Sequence, residues 1–148
     1  MSRSRALLYI ALFLGVACRE VDESHYATVA AVRQADDSRQ GWLPPFLPES
    51  ATDIREKHDI AANWTFVRFR FTAPLADPST CTVIPRSTLP SPSVRGHLTP
   101  SWWPSPLPES PSVRTLTCTE PTYGTSTAPT WLVIDDGAAT AYFWRDPS

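Results

Sequence analysis

Three cysteines, one histidine between carboxylates and two tryptophan–proline clusters carry the side chains that could do chemistry in this chain. Cys18 closes the run Leu12-Phe13-Leu14-Gly15-Val16-Ala17-Cys18. Its thiolate is a nucleophile able to accept a diacylglyceryl group, and cleavage before it would free an amine for a further acyl chain. Two or more chains anchor stably where one gives only marginal binding. His58 lies close to Glu56 and Asp59, a spacing that suits a general base or a ligand. His25 and His97 are scattered, however, and neither a His-Glu-x-x-His segment nor a clustered ligand set occurs. No Gly-x-Ser-x-Gly elbow supplies an activated serine. The sequence therefore predicts no catalytic residue, no metal and no cofactor.

The surroundings of Cys18 decide its reading. Residues 1–5 carry Arg3 and Arg5 and no acid, residues 6–17 are unbroken apolar sequence, and charge returns at Arg19. That is the tripartite export pattern. Twelve helical residues reach only about 18 Å, short of the roughly 20 residues that span a bilayer. Leu14-Gly15-Val16-Ala17-Cys18 resembles the lipobox of bacterial lipoproteins, with Gly15 where leucine is usual. The expected organisation is a signal peptide over 1–17, a lipidated cysteine and short tether over 18–24, and a single domain over 25–148. Arg19 offers no inner-membrane retention signal, so the expected location is the periplasmic face of the outer membrane. The membrane, through the lipid, is the first partner.

Loss of Arg3 and Arg5 with the signal would take the basic count from 13 to 11, against 15 acids. A net charge near −4 gives no electrostatic case for nucleic acid. An exported compartment permits Cys81 and Cys118 to pair. They flank a proline-rich loop, and closing it would contribute about 3–4 kcal/mol by chain entropy. Neither lies in a Cys-x-x-Cys arrangement, which argues against a thiol oxidoreductase.

The elements that must position these residues form an α+β pattern. Tyr26, Val29, Ala30 and Val32 recur at helical spacing, predicting an amphipathic helix over 25–38 that starts at Ser24 and packs on a small, mostly antiparallel sheet. Residues 51–60 alternate as a strand, and Asn63–Phe71 is the strongest strand in the chain. Most of the 16 prolines fall between Pro74 and Pro129, predicting a long irregular insertion. Asp136-Gly137 between β-rich runs predicts a C-terminal hairpin ending in Tyr142-Phe143-Trp144. Trp102 and Trp103, with His58, are the candidate binding surface, since aromatic residues concentrate at interaction hot spots.

Several of these runs carry a family likeness. Trp42-Leu43-Pro44, Leu47-Pro48-x-Ser50-Ala51-Thr52-Asp53-Ile54, His58-Asp59, Asn63-Trp64, Phe69-x-Phe71, Trp102-Trp103-Pro104 and Tyr142-Phe143-Trp144 together resemble a group of small, uncharacterised bacterial lipoproteins. The chain departs from that pattern at Ile60-Ala61-Ala62-Asn63, where a leucine followed by Asp-Thr-Asn is usual. The resemblance implies export and lipidation and no particular activity.

The leading expectation is a noncatalytic, lipid-anchored envelope protein with an envelope protein as possible partner. The alternatives are a small envelope hydrolase using His58 as base, and a soluble periplasmic carrier. Mass spectrometry of the mature chain is expected to find acylated Cys18 as its first residue. An unmodified terminus elsewhere overturns that expectation.

Overall fold

The structure is a computed structural model, which describes residues 21–35, 41–72, 74–119 and 129–147. Cys18 lies outside them. Seven strands form one sheet: β1 (Val21–Thr28), β2 (Thr52–Asp59), β3 (Trp64–Arg70), β4 (Cys81–Val83), β5 (Val113–Thr119), β6 (Pro129–Asp135) and β7 (Thr140–Arg145). The order is β1-β2-β3-β7-β6-β5-β4, and every neighbouring pair is antiparallel. One five-residue helix, α1 (Val29–Arg33), follows β1. The fold is thus α+β.

Of the helix expected over 25–38, the described residues form α1 at its centre, residues 24–28 are strand, and residues 36–38 lie outside the described residues. Ser24 and Tyr26 are buried while His25 and Ala27 are exposed, a period of two. β1 pairs with β2 along its whole length, from Val21↔Asp59 to Thr28↔Thr52. That ladder outweighs the weak helical preference of a histidine–tyrosine–threonine stretch. Thr28, not Ser24, caps the helix: its Oγ1 accepts from Ala31 N at 3.3 Å. The sheet consequently begins at Val21, inside the expected tether 18–24.

β3 explains why the sheet needs two covers. Val67 and Phe69 face one side, Trp64 and Phe66 the other, and all four are essentially fully buried. The first face joins them to Tyr26, Ile54, Leu116, Leu132, Ile134 and Phe143. It is covered by Val29 and Val32 of α1, together with Leu43, Phe46, Leu47 and Ala51. The segment 42–51 does this through successive turns closed by Leu47 N to Pro44 O and Ala51 N to Pro48 O, at 3.1 and 2.8 Å. The second face joins Trp64 and Phe66 to Val133 and Trp144, under Val94 and Trp103.

The cover of the second face is the proline-rich segment 84–112. Prolines cannot donate to a ladder, so it closes isolated turns instead, at Arg86–Thr88 and Gly96–Leu98, and from Trp103 N to Pro100 O at 3.0 Å. Side chains stitch it down: Thr115 Oγ1 donates to Ile84 O at 2.6 Å, and Asp146 Oδ1 accepts from Ser93 N at 2.8 Å. Within the tract read as irregular, Arg114-Thr115-Leu116-Thr117-Cys118 is a regular strand, with Leu116 and Cys118 inward on the first face.

β6 and β7 are adjacent and antiparallel, with Asp135 opposite Thr140. The left-handed residue in their connection is Ala139, at φ 49°, and not Gly137. Gly137 serves a close approach instead, since a Cβ there would stand 2.7 Å from Ser112 Oγ. Asp135 Oδ1 accepts from Ser112 Oγ and from Ala138 N.

Trp103 is the pin of the second cover. Its ring meets Phe66 at 4.7 Å between centroids, Tyr142 at 5.7 Å and Trp144 at 5.9 Å, all edge to face. Trp103→Ala is expected to destabilise the fold by about 3–5 kcal/mol, the usual cost of truncating a buried aromatic. Denaturant unfolding checks this.

Candidate functional site

The pairing registers carry one row straight across the first face: Asp22, His58, Thr65, Arg145, Thr130, Cys118 and Cys81. The row has no aliphatic or aromatic hydrocarbon side chain, and it terminates the core at one end of the sheet. The disulfide Cys81–Cys118 closes it at the β4 edge by joining directly opposed residues.

His58 lies within this row and is sealed. Its side chain is 3% exposed, and Glu56, its neighbour on the same face, is 0% exposed. His58 Nδ1 and Glu56 Oε1 are hydrogen-bonded at 2.5 Å. The indole of Trp42 lies flat on the imidazole, 4.3 Å between centroids and 7° from parallel. Thr65, directly opposite His58, directs its Oγ1 to the carbonyls of Trp42 and Lys57. Thr65 is thus turned to main-chain acceptors and not to the imidazole. This arrangement anchors the 42–51 cover to β2. A substrate reaching His58 would first have to displace Trp42.

The sequence grouped His58 with Trp102 and Trp103 as one surface, and the structure separates them. His58 is on the first face; both tryptophans are on the second. Trp103 is core. Trp102 is half-buried, and its Nε1 donates to Glu23 Oε1 at 2.7 Å.

Trp103 nevertheless borders open space. A cavity of about 630 Å³ lies within the proline-rich cover, lined by Trp103, Leu89, Val94, Leu107, Arg86 and Arg95 together with prolines and serines. Arg86 Nη2 donates to Leu107 O at 3.3 Å and to Glu109 Oε1 at 3.5 Å. Arg86 Nη1 is buried and has no hydrogen-bond partner among the described residues. Two arginines against Glu109 leave the lining with a positive balance. Arg86 and Arg95 were missed by motif reading. Their one signal was their place as the only arginines in a proline–serine stretch from 84 to 112.

A second polar cluster lies on the second face, over β1, β2 and β3. Asp53 accepts from Arg55 Nε at 3.2 Å and from Arg68 Nη2, and His25 Nε2 lies 2.9 Å from its Oδ1. The backbone there has φ 45°, where the β2–β3 register shifts. Partial burial pushes the Asp53 carboxyl up, but the Arg55 hydrogen bond and the charges of Arg68 and Arg55 outweigh it, so its pKa stands below 3.8. Among the described residues no group of histidine, cysteine and carboxylate side chains could hold a metal ion. No helix among them is long and apolar enough to cross a membrane.

Comparison with known proteins finds a match between residues 20–70 and the family model described as the YbbD head domain. The matched segment covers β1, α1, β2 and β3, roughly a third of the chain. It includes Trp42, Glu56, His58 and the Asp53 cluster, and it excludes the cavity. No curated protein and no solved structure matches the chain.

Asp53 offers a pH test within the matched segment. Its folded pKa is lowered, so its stabilisation is complete above its ordinary value of 3.8 and is lost as pH falls through the folded pKa. Asparagine tolerates positive φ as aspartate does, which leaves the backbone undisturbed in Asp53→Asn. The variant is expected to unfold at lower urea concentration than wild type at neutral pH. The gap should close progressively below pH 3.8, and a gap independent of pH would contradict the assignment.

Proposed function

We propose that this protein is a lipid-anchored component of a bacterial cell envelope that binds, without turnover, a small anionic envelope component in the cavity beside Trp103. The observation that carries the binding role is that cavity. Its volume of about 630 Å³ lies in the range of small-molecule sites, and its lining mixes tryptophan, leucine, valine and proline in equal part with arginine, serine, threonine and glutamate. Arg86 and Arg95 outnumber Glu109 in its lining, and arginine recognises carboxylates through paired hydrogen bonds. A carboxylate on a compact, partly apolar body matches this lining.

The anchor reading rests on the apolar run ending at Cys18 and on the likeness to small bacterial lipoproteins. The disulfide is consistent with an oxidising compartment. Arg19 favours outer-membrane placement. The sealed state of His58 weighs against the hydrolase alternative.

Calorimetric titration with N-acetylated amino acids and N-acetylmuramic acid tests the cavity, alongside native mass spectrometry of the protein extracted from envelopes. Wild type is expected to retain or bind an anionic ligand. Arg95 is exposed at the cavity wall, so Arg95→Glu should keep the fold and weaken binding at least about tenfold, the equivalent of 1.4 kcal/mol. Absence of any bound species together with silent titrations overturns the reading. Equal affinity in Arg95→Glu moves the site away from this cavity.

A further inference from the structure

The structure leaves almost no tether between Cys18 and the sheet. Only Arg19 and Glu20 separate Cys18 from Val21, the first residue of β1. Three Cα–Cα steps span at most about 11 Å. Diacylglyceryl attachment would fix the cysteine sulfur at the level of the lipid glycerol. Val21 would then be held against the headgroups, and whatever stands beside it in the sheet would be held there too.

The register says what stands there. Val21 pairs with Asp59, the last residue of β2. The β2–β3 connection, residues 60–63, therefore projects from the same end of the sheet, about 5 Å to the side of β1. Its tip is apolar. Ile60 is 57% exposed, and Ala61 is exposed beside it. Asp59 Oδ1 accepts from Ala62 N at 2.9 Å, which satisfies a turn donor from within and keeps the tip compact. A single exposed isoleucine is ordinary on a protein surface. An exposed isoleucine at the end of the sheet where the anchor must attach has a specific occupant available.

We infer that the Ile60–Ala61 turn is an interfacial contact that seats this end of the sheet on the bilayer surface beside the lipid anchor. The inference rests on the acylation of Cys18 proposed above. It fixes an orientation: β1 starts at the membrane, and α1, at the other end of β1, points away from it.

Val83 supplies the control. It has the same 57% exposure but lies on β4 at the opposite edge, in the cross-strand row of Glu56, three residues and about 10 Å back from the Asp59 end of the sheet. With Cys18 acylated and Cys81 bonded to Cys118, a cysteine placed at either position is the one free thiol. Ile60→Cys and Val83→Cys are made separately in the full precursor and expressed in a bacterial host that acylates lipoproteins. Each is labelled with an environment-sensitive fluorophore. Each is then placed in phosphatidylethanolamine–phosphatidylglycerol vesicles containing a headgroup spin-labelled lipid. Quenching at position 60 is expected to exceed that at position 83 several-fold. A flexible glycine–serine insertion between Arg19 and Glu20 should reduce it to the level at 83.

Intact mass of the same preparations separates the two readings. Acylated protein with equal quenching at both positions overturns the inference and leaves the anchor standing. Protein without acylation at Cys18 overturns both. Quenching that survives the insertion overturns the short tether as its cause.

Discussion

The burial of β3 on both faces is the constraint from which the rest of the structure follows. Trp64, Phe66, Val67 and Phe69 alternate across a central strand, and each is at most 1% exposed. Each large aromatic side chain taken out of water contributes on the order of 2–3 kcal/mol. A sheet with one wet face would forfeit half of that. The chain therefore has to supply two covers, and it does so with different material. The first is α1 with the turns of 42–51. The second is a proline-rich segment that cannot form a ladder of its own. Proline restricts the unfolded chain as well, so ordering such a segment costs less entropy than its lack of regular structure suggests.

The polar row across the first face shows how that core is ended. Hydrocarbon gives way at one cross-strand step to Asp22, His58, Thr65, Arg145, Thr130 and the disulfide. Buried polar groups are tolerable only when hydrogen-bonded. Glu56 Oε1 and His58 Nδ1 meet that condition together, and the Thr65 hydroxyl is directed to two carbonyls. A glutamate–histidine pair in a sequence invites a catalytic reading. Here its chemistry is used to carry Trp42, and through Trp42 to hold the 42–51 cover in place. The distinction is visible only in the burial and in the stacking, neither of which spacing reveals.

Legibility from sequence followed the strength of local signals. β3 was readable because nothing but a strand accommodates Trp64-Thr65-Phe66-Val67-Arg68-Phe69-Arg70. The Cys81–Cys118 pairing was readable from compartment and flanking position, although the direct opposition of β4 and β5 was not. Residues 25–28 were misread as helix because alanine and tyrosine fit a helical stripe and an alternating strand almost equally, and pairing with β2 decided between them. β5 was masked by the proline content on its N-terminal side; Arg114–Cys118 itself contains no proline and alternates cleanly. The cavity left no motif because its walls come from residues spread over 86–109. The Asp53 cluster needed Arg68 from another strand, and its positive φ depends on a register shift that no local pattern encodes.

The similarity to the YbbD head domain ends at Arg70, and the sheet shows what that boundary means physically. β1, β2 and β3 form a three-stranded unit with α1 over one face. Left alone, that unit would expose the free edge of β3 and the second faces of Trp64 and Phe66. β7 takes that edge, pairing from Thr65↔Arg145 to Arg70↔Thr140, and Trp144 and Trp103 complete the aromatic packing on the second face. The matched segment is therefore completed by the C-terminal strand and the proline-rich cover rather than joined to them by a linker. A separate function for the segment 20–70 would need its own partner for β3. In this chain the partner is intramolecular, so the cavity lining and the matched segment meet in one core, where Trp103 packs on Phe66.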